Sequence, residues 1–288
     1  MSLAGVRVDV MQKDDVLGVV AEHLEGADDR PLYVASANLD HIAHFGHAGA
    51  SRDLVDYDDE GCRWLVLLDG VPLVWRSRRL LAEPVEQLAG SDLLGDCIHV
   101  AGRTGSRVGV LGGTAETHLA LQQVLDRVAP ELEVAGCWAP DRGELTDGAR
   151  ARALAQQIAA ARVDLLVVAL GKPRQEAFLA QHGAATGARV GLAFGAAIDF
   201  LAGRVSRAPE AVRHAGLEWL WRLAQEPGRL SHRYLVEGPP NVVALLRDAS
   251  LVQGVPLHAV PAQRPVPESA RSAAAASADR AAGSSTFR

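Results

Sequence analysis

Six short apolar runs, separated by stretches long enough for helices, constrain the fold of this chain more than any other feature of its sequence. They predict strands at residues 32–36, 64–68, 107–111, 132–136, 165–170 and 190–194. Helix-like segments are predicted at residues 14–24, 71–81, 115–128, 148–161, 174–182 and 210–224. Strands that are apolar throughout and alternate with helices are typical of a parallel sheet covered on both faces. The sequence therefore predicts an α/β fold.

The composition narrows the class of protein. The chain has 288 residues, 48% of them hydrophobic, which is enough for one large core or two smaller ones. Its net charge of −6 argues against a nucleic-acid-binding protein with a wholly basic surface. The three cysteines, Cys62, Cys97 and Cys137, are far apart, which fits a reducing compartment better than a disulfide framework or a zinc cluster. Without a signal core or an apolar run of roughly 18 residues, we expect a cytoplasmic protein whose membrane contact is peripheral.

Three segments of the chain differ in character. Residues 1–206 contain all six predicted strands and form the predicted α/β core. Residues 207–254 combine arginines, tryptophans and leucines, and they predict a helical C-terminal appendage. Residues 255–288 are first Pro-rich and then Ala/Ser-rich, with hardly any large apolar side chains, and they are therefore predicted to be disordered.

The appendage has the residue types of a surface that meets both hydrocarbon and phosphate. Trp219 and Trp221 alternate with arginines, and Leu217, Leu220 and Leu223 share roughly one helix face. Trp and Arg each present an apolar body and a polar tip, which suits a membrane interface. The alternative is an amphipathic helix packed on the core, which the periodicity alone favours.

Polar side chains follow the first two predicted strands, at the edge where parallel sheets bind ligands. Asp69 comes after an apolar run and before Gly70. A carboxylate at the mouth of a cleft can accept a proton from a substrate hydroxyl, but capping of the following helix is an equal alternative. Ser36 and Asn38 could hold a sugar or close a turn, and the sequence alone favours the turn.

Two glycine-containing segments end later strands. Gly112 and Gly113 precede a helix start, where bare backbone N–H groups suit a diphosphate, although a plain strand-to-helix turn is at least as good an interpretation. In the other segment Lys172 and Gln175 present hydrogen-bond donors, while Glu176 is open to interpretation as a partner of the helix dipole. The ten histidines have no metal-ligand spacing, so we expect neither a bound metal nor a cofactor.

Taken in order, these motifs resemble the WecG/TagA/CpsF family of bacterial glycosyltransferases, also called glycosyltransferase family 26. The resemblance spans roughly residues 5–246 and runs through Ser36-Ala37-Asn38, Leu68-Asp69-Gly70-Val71-Pro72-Leu73, Gly90-Ser91-Asp92-Leu93, Leu111-Gly112-Gly113, Gly171-Lys172-Pro173-Arg174-Gln175-Glu176, Phe194-Gly195, Asp199-Phe200, Ala202-Gly203, Arg207-Ala208-Pro209 and the block at residues 216–233. Most of these motifs are weak singly, but their number and order exceed what chance similarity produces.

The resemblance implies a Rossmann-like core with a C-terminal appendage that completes the site at the membrane. Family members transfer a sugar from a UDP-sugar to a saccharide on undecaprenyl diphosphate, with inversion and without a metal. The best known of them transfer N-acetylmannosamine, or its uronic acid, to lipid-linked N-acetylglucosamine. Asp69 would then be the general base that deprotonates the acceptor hydroxyl. The substrate-binding residues expected on this basis are Ser36, Asn38, Gln87, Gly112, Gly113, Lys172, Gln175, Arg207, Arg222, Arg229 and Arg233.

The same resemblance implies where the protein acts and with what. It would assemble a cell-surface polysaccharide at the inner face of the cell membrane, as a cytoplasmic and peripherally associated enzyme. Its partners would be a UDP-sugar donor, an undecaprenyl-diphosphate-linked acceptor and the inner leaflet, without nucleic acid. Related enzymes self-associate, so a homo-oligomer is among the expectations.

One position departs from the family's pattern. Gln87 stands where the family usually has an arginine, shortly before Gly90-Ser91-Asp92. A glutamine donates hydrogen bonds but has no charge and no bidentate fork for a phosphate or carboxylate. The donor sugar is therefore open, and a non-catalytic subunit that binds a nucleotide sugar or a lipid carrier is an alternative function. An NAD-dependent oxidoreductase is a third hypothesis, which depends only on the alternating pattern and the Gly112-Gly113 pair.

Overall fold

The computed structural model describes residues 1–57, 59–206, 208–209, 212 and 217–251, without the side chain of Arg229. Its strands are β1 (Ser2–Leu3), β2 (Val6–Arg7), β3 (Leu32–Ala37), β4 (Arg63–Leu68), β5 (Val108–Gly112), β6 (Val134–Trp138), β7 (Leu165–Ala169), β8 (Val190–Ala193) and β9 (Ala249–Ser250). Its α-helices are α1 (Lys13–Leu24), α2 (Leu39–Phe45), α3 (Val71–Leu81), α4 (Gly90–Arg103), α5 (Ala115–Val128), α6 (Arg142–Thr146), α7 (Gly148–Ala160), α8 (Arg174–His182), α9 (Ala197–Leu201), α10 (Glu218–Gln225), α11 (Pro227–Ser231) and α12 (Gly238–Arg247). A π-helical segment, His232–Glu237, joins α11 to α12, and 3-10 turns lie at Arg52–Leu54 and Ala184–Thr186.

Six strands form one parallel sheet in the order β4-β3-β8-β7-β5-β6. Leu32 of β3, for example, pairs with Arg63 of β4 on one side and with Val190 of β8 on the other. Because every strand runs the same way, each returns to its starting edge through a helical crossover, and all carboxyl ends meet at one edge. The predicted parallel α/β sheet is confirmed.

Alternate residues of each central strand enter two separate cores, one on each face of the sheet. Val34 of β3 and Val167 of β7 point toward the core built with α1, α4, α5 and α9. Their neighbours Ala35 and Val168 point toward the core built with α2, α3, α7 and α8. Helices therefore cover both faces, which explains why the strands read as continuous apolar runs instead of alternating ones.

A second, small sheet joins the start of the chain to residues 249–250. In this antiparallel sheet, β1 lies between β2 and β9, with Leu3 opposite both Val6 and Ala249. Next to it, Leu245 of α12 is fully buried in the core that contains α2 and α3. The last described helix and strand are thus packed on the core residues, and no pattern in the sequence indicated this pairing.

The predicted elements and the observed ones differ mainly at short or glycine-rich helices. All six strands and five of the predicted helices are present, with shifts of one or two residues at several ends. The strand predicted at residues 132–136 starts at Val134, because Leu132 closes a turn by donating to the Ala129 carbonyl. The helix predicted at residues 210–224 is described only from Glu218 onward. The segment predicted to be disordered, 255–288, lies outside the described residues.

Helix α4 was missed because its glycines, Gly90, Gly95 and Gly102, lower helix propensity. It nevertheless forms, since its apolar face, including Leu94 and Cys97, is buried against the sheet. Helix α4 therefore forms because of tertiary packing and not because of local helix propensity.

Candidate functional site

The carboxyl edge of the parallel sheet gathers most of the predicted site residues. Asn38 follows β3, Asp69 follows β4, Lys172 lies beyond β7, and Gly113 follows β5. Since β3 and β4 are neighbours, Asn38 and Asp69 lie side by side. The β5 turn is four strands away from Asp69, which corresponds to about 19 Å at the usual strand spacing. The edge is therefore long enough for an elongated ligand, with a carboxylate toward one end and a glycine turn toward the other.

The Asp69 side chain belongs to this cleft and does not cap a helix. The N-cap of α3 is Gly70, and no side chain makes a capping hydrogen bond there. The Asp69 carboxylate instead accepts hydrogen bonds from the Asn38 amide, at 3.4 Å, and from the Ser36 hydroxyl. A Cβ on Gly70 would lie 3.1 Å from the main chain of Asn38, so a glycine there lets the two strand ends approach closely. The helix-cap alternative for Asp69 is therefore wrong, and its role as a site residue stays a prediction.

Burial raises the pKa of the Asp69 carboxyl above its ordinary value, because desolvation disfavours the charged form. Lys172 acts in the opposite direction, as do the hydrogen bond from Ser36 and the charge of Arg222, whereas the negative charge of Glu218 raises the pKa further. A carboxylate with a raised pKa is a stronger base than an exposed one. A raised pKa of this kind is common among general bases.

Asn38 both closes a turn and contacts Asp69. Its side-chain oxygen accepts a hydrogen bond from the His41 main-chain N–H and caps helix α2, while its amide nitrogen donates to Asp69. The two readings of Asn38, turn former and site residue, are therefore compatible in one side chain. Ser36 is buried at the end of β3 beside it.

Gln87 lies in the loop between α3 and α4, next to Asp69. Its amide donates a hydrogen bond to the main-chain carbonyl of Asp69. The same loop is tied to β4 by the Leu88 N–H, which donates to the Leu68 carbonyl at 2.7 Å. The position at which this chain departs from the family's pattern is thus in direct contact with the proposed base.

Lys172, Gln175, Glu176 and His41 form a buried polar cluster behind the carboxyl edge. Glu176 Oε1 lies 3.3 Å from Lys172 Nζ and 3.0 Å from Gln175 Nε2. Gln175 also donates to the Ala193 carbonyl at 2.7 Å and accepts from the Gly195 N–H at 3.0 Å, which fixes α8 to the end of β8. Burial, with a smaller contribution from Lys172, holds the pKa of His41 well below its ordinary value, so its ring is neutral at neutral pH.

The Gly112-Gly113 segment forms a tight strand-to-helix turn. Both residues have positive φ, +100° and +84°, and Thr114 caps α5 by accepting from the Thr117 N–H. A Cβ on Gly112 would lie 2.5 Å from the Ala169 carbonyl oxygen, so no other residue fits there without a backbone shift. A strand-to-helix connection accounts for this geometry, since the Thr114 cap already takes the Thr117 N–H, and a ligand role for the turn stays a prediction.

The described part of the appendage places two arginines near the carboxyl edge. Arg222 on α10 is close enough for its charge to act on Asp69, and its guanidinium carbon lies 5.4 Å from the centre of the Phe200 ring. Arg233 pairs with Asp40 at 2.7 Å, in the helix that Asn38 caps. Arg207 and the side chain of Arg229 lie outside the described residues.

Three residues in or around the site were not anticipated in these roles. The sequence leaves Glu176 open as a helix-dipole partner, whereas the structure buries its carboxylate against Lys172 and Gln175. The sequence indicates no site role for His41 or Glu218. His41 and Glu218 meet the site only through contacts between different elements, which no local pattern marks. Glu176 differs, because its partner Lys172 stands four residues before it, a spacing that the sequence does show. Among the described residues no cluster of three or more His, Cys, Asp or Glu side chains is arranged to hold a metal ion.

Comparison with known proteins bears on what this arrangement does. Residues 1–253 match the family model described as "Glycosyl transferase WecG/TagA/CpsF family". A Bacillus spizizenii protein named N-acetylglucosaminyldiphosphoundecaprenol N-acetyl-beta-D-mannosaminyltransferase is 31% identical over 183 residues, which are 63% of this chain and 68% of the relative. A Bacillus subtilis protein of the same name is 30% identical over 166 residues, 57% of this chain and 62% of the relative.

Proposed function

Because this chain belongs to the WecG/TagA/CpsF family and is a glycosyltransferase, we propose that it transfers a sugar from a UDP-sugar to an undecaprenyl-diphosphate-linked saccharide. The reaction inverts the anomeric carbon, needs no metal, and serves cell-surface polysaccharide synthesis. The relatives' name states an N-acetylmannosaminyl donor group and an N-acetylglucosaminyl-diphosphoundecaprenol acceptor. We extend to this chain the lipid-linked acceptor and an N-acetylmannosamine-type or other hexose donor.

The observation that carries the proposal is the half-buried Asp69 carboxylate at the carboxyl edge of the sheet, contacted by Asn38 and Ser36. In the proposed step Asp69 takes the proton of the acceptor hydroxyl. The acceptor oxygen forms a bond to the anomeric carbon while the bond from that carbon to the UDP oxygen breaks, and UDP leaves with the electron pair. Attack from the face opposite the leaving group inverts the configuration.

Departing UDP needs fixed positive charge when no metal supplies it. The Gly112-Gly113 turn is about 19 Å from Asp69 at the usual strand spacing. It is therefore too far away to hold the departing diphosphate and would instead meet the nucleoside end of UDP. Arg222, and Arg207, Arg229 and Arg233 by resemblance, would supply guanidinium groups from the appendage. Such groups stabilise developing charge most strongly where water is excluded, so closure of the appendage over the cleft would aid the reaction.

Peripheral membrane contact is supported by exposed tryptophans beside arginines. On α3, which begins two residues after Asp69, Trp75 is 51% exposed and the Arg79 guanidinium lies 5.7 Å from its ring centre. On α10, Trp219 is 43% exposed next to Leu220. No helix in the described part of the chain is long and apolar enough to cross a membrane. Trp–Arg surfaces near the site would bring it to a lipid-linked acceptor at the inner leaflet.

UDP release tests the proposal directly. The full chain is incubated with a panel of UDP-sugars, with and without a short-chain lipid-diphosphate N-acetylglucosamine acceptor, in EDTA. We expect acceptor-dependent release with one donor. The matched control is Asp69→Asn, which keeps the side chain's shape but cannot act as a base, and should lower turnover at least about 100-fold while UDP binding by calorimetry persists.

The alternative of a binding subunit predicts a different pattern. UDP would bind to the wild-type chain, yet no donor in the panel would be turned over, with or without the acceptor. Near-wild-type turnover by Asp69→Asn would leave the transferase assignment intact but remove Asp69 as its base.

A further inference from the structure

Glu176 is a buried carboxylate that no part of the proposed reaction uses. It stands in the first turn of α8 with 0% of its surface exposed. A buried carboxylate is costly unless it is paired and hydrogen-bonded. Glu176 obtains both from one oxygen, Oε1, which lies 3.3 Å from Lys172 Nζ and 3.0 Å from Gln175 Nε2.

Lys172, the ion-pair partner of Glu176, is also largely buried. The Lys172 side chain is only 7% exposed, and its ion pair with Glu176 spans one helical turn. A short chain of contacts connects this pair to Asp69: Glu176 Oε1 is 4.0 Å from His41 Nδ1, the His41 main-chain N–H donates to the Asn38 side chain, and the Asn38 amide donates to Asp69. Among the described residues, Lys172 and Asp69 themselves form no direct ion pair. Asp69 takes its hydrogen bonds from Asn38 and Ser36 instead. Glu176 thus holds the ammonium group on the inner side of the cleft edge.

We propose that Glu176 is a positioning residue of the transferase site, which holds Lys172 as a fixed cation facing Asp69 and prevents it from pairing with the base directly. The inference depends on the proposed function, because it assigns a role toward Asp69 as the general base. It adds two consequences: the cation is part of the base's electrostatic environment, and the base keeps its oxygens free for the acceptor hydroxyl.

The charged and polar groups that face Asp69 come from several elements. Lys172 lies beyond β7, Glu218 and Arg222 project from α10, and Ser36 and Asn38 belong to the end of β3. Lys172 is the strongest of the groups that lower the pKa of Asp69 against the effect of burial. Removing the charge of Lys172 should therefore raise the pKa of Asp69, whereas freeing the Lys172 ammonium group from Glu176 should lower it.

The test compares three variants of the full chain, of which the first two are expected to shift the pKa of Asp69. In Glu176→Gln, Lys172 loses its ion-pair partner and can pair with Asp69. The pKa of Asp69 then falls, and the acid limb of kcat/KM moves to lower pH. Because the groups around the base are no longer held in place, kcat drops about 10- to 100-fold. In the double variant Lys172→Met with Glu176→Gln, the cation is gone and the buried pair is neutral, so the acid limb moves to higher pH than in the wild type. Lys172→Arg, which keeps the charge, should leave the limb near its wild-type position.

Carbon-13 NMR of the Asp69 carboxyl group provides the same titration without turnover, with Asp69→Asn identifying the resonance. Shifts of opposite sign in the two variants support the inference. A merely structural Glu176 would instead lower thermal stability while the titration of Asp69 stayed at its wild-type position, and that outcome overturns it. Failure of the proposed function would appear separately, as no sugar transfer by a wild-type chain whose Asp69 still titrates as described.

Discussion

The Gln87 amide donates a hydrogen bond to the main-chain carbonyl of Asp69, so the loop between α3 and α4 is fastened to the peptide of the proposed base. The resemblance to the family implies an arginine at this position. Here the neutral Gln87 side chain uses its amide N–H group for a hydrogen bond within the protein. The substitution therefore removes a positive charge from the rim of the cleft while retaining an anchor for the loop.

Restoring the arginine should change donor preference. In Gln87→Arg we expect kcat/KM to rise more for a UDP-N-acetylmannosamine uronic acid than for UDP-N-acetylmannosamine, because a guanidinium fork pairs with a carboxylate. Gln156→Arg, at an exposed position of α7, adds the same charge elsewhere and should leave the ratio unchanged. Equal effects of the two variants would contradict a local role for position 87.

Glu218 gives a prediction about pH. Activity needs Asp69 ionised, so it is lost as the pH falls through the raised pKa of that group, and the negative charge of Glu218 contributes to the rise. Glu218→Gln should therefore move the acid limb of kcat/KM to lower pH. Glu237→Gln, in the same segment but paired with His232, serves as control and should not move it. A limb that moves upward or stays in place for Glu218→Gln would show that α10 does not face Asp69 during turnover.

Two glycine variants distinguish a structural role of the Gly112-Gly113 turn from a role in UDP binding. Gly113→Ala places a Cβ 2.7 Å from Ile198 Cδ1 at φ +84°, whereas Gly105→Ala, at φ +64°, meets no heavy atom within 4 Å. Both should lose about 1 to 2 kcal/mol of stability through left-handed backbone strain. Only Gly113→Ala should also weaken UDP binding in calorimetry. If the two variants bound UDP equally well, the turn would only connect a strand to a helix and would not be part of the UDP site.

Much of the fold could be predicted from sequence because it depends on local patterns. The strand at β7, Leu165–Ala169, reads as apolar at every position since both faces of the sheet are covered, and helix α5, Ala115–Val128, carries a complete periodic face. The parallel topology then placed Asp69 and Asn38 at one edge without further information.

The parts that could not be predicted depend on contacts between distant residues. Leu3 pairs with Ala249 across nearly the whole described chain, and no local pattern marks such a partner. The spacing of Glu176 four residues after Lys172 is visible in the sequence, but the burial of this pair depends on the packing of α8 against the strand ends. The interpretation of Glu176 as a simple dipole partner was therefore incomplete, because burial converts a weak surface interaction into a strong constraint.

The exposed face of α3 gives the sharpest test of membrane contact. Trp75 and Arg79 lie one helical turn apart, and both are exposed although the two apolar residues before Trp75, Leu73 and Val74, are buried in the core. Trp75→Ala and Arg79→Ala should each fold normally, because neither side chain supports the core. In flotation with anionic vesicles each should reduce partitioning about fivefold, equivalent to roughly 1 kcal/mol for one basic or interfacial side chain.

The control for this experiment is Leu119→Ala. Leu119 is 67% exposed, but it lies on α5, whose buried residues enter the core on the other face of the sheet from α3. It should float with vesicles as well as the wild type does. On zwitterionic vesicles the effect of Arg79→Ala should vanish while that of Trp75→Ala remains, since only the first depends on the surface charge of the lipid. Equal losses for Leu119→Ala and Trp75→Ala would mean that apolar exposure in general drives partitioning, and that α3 is not the face that meets the membrane.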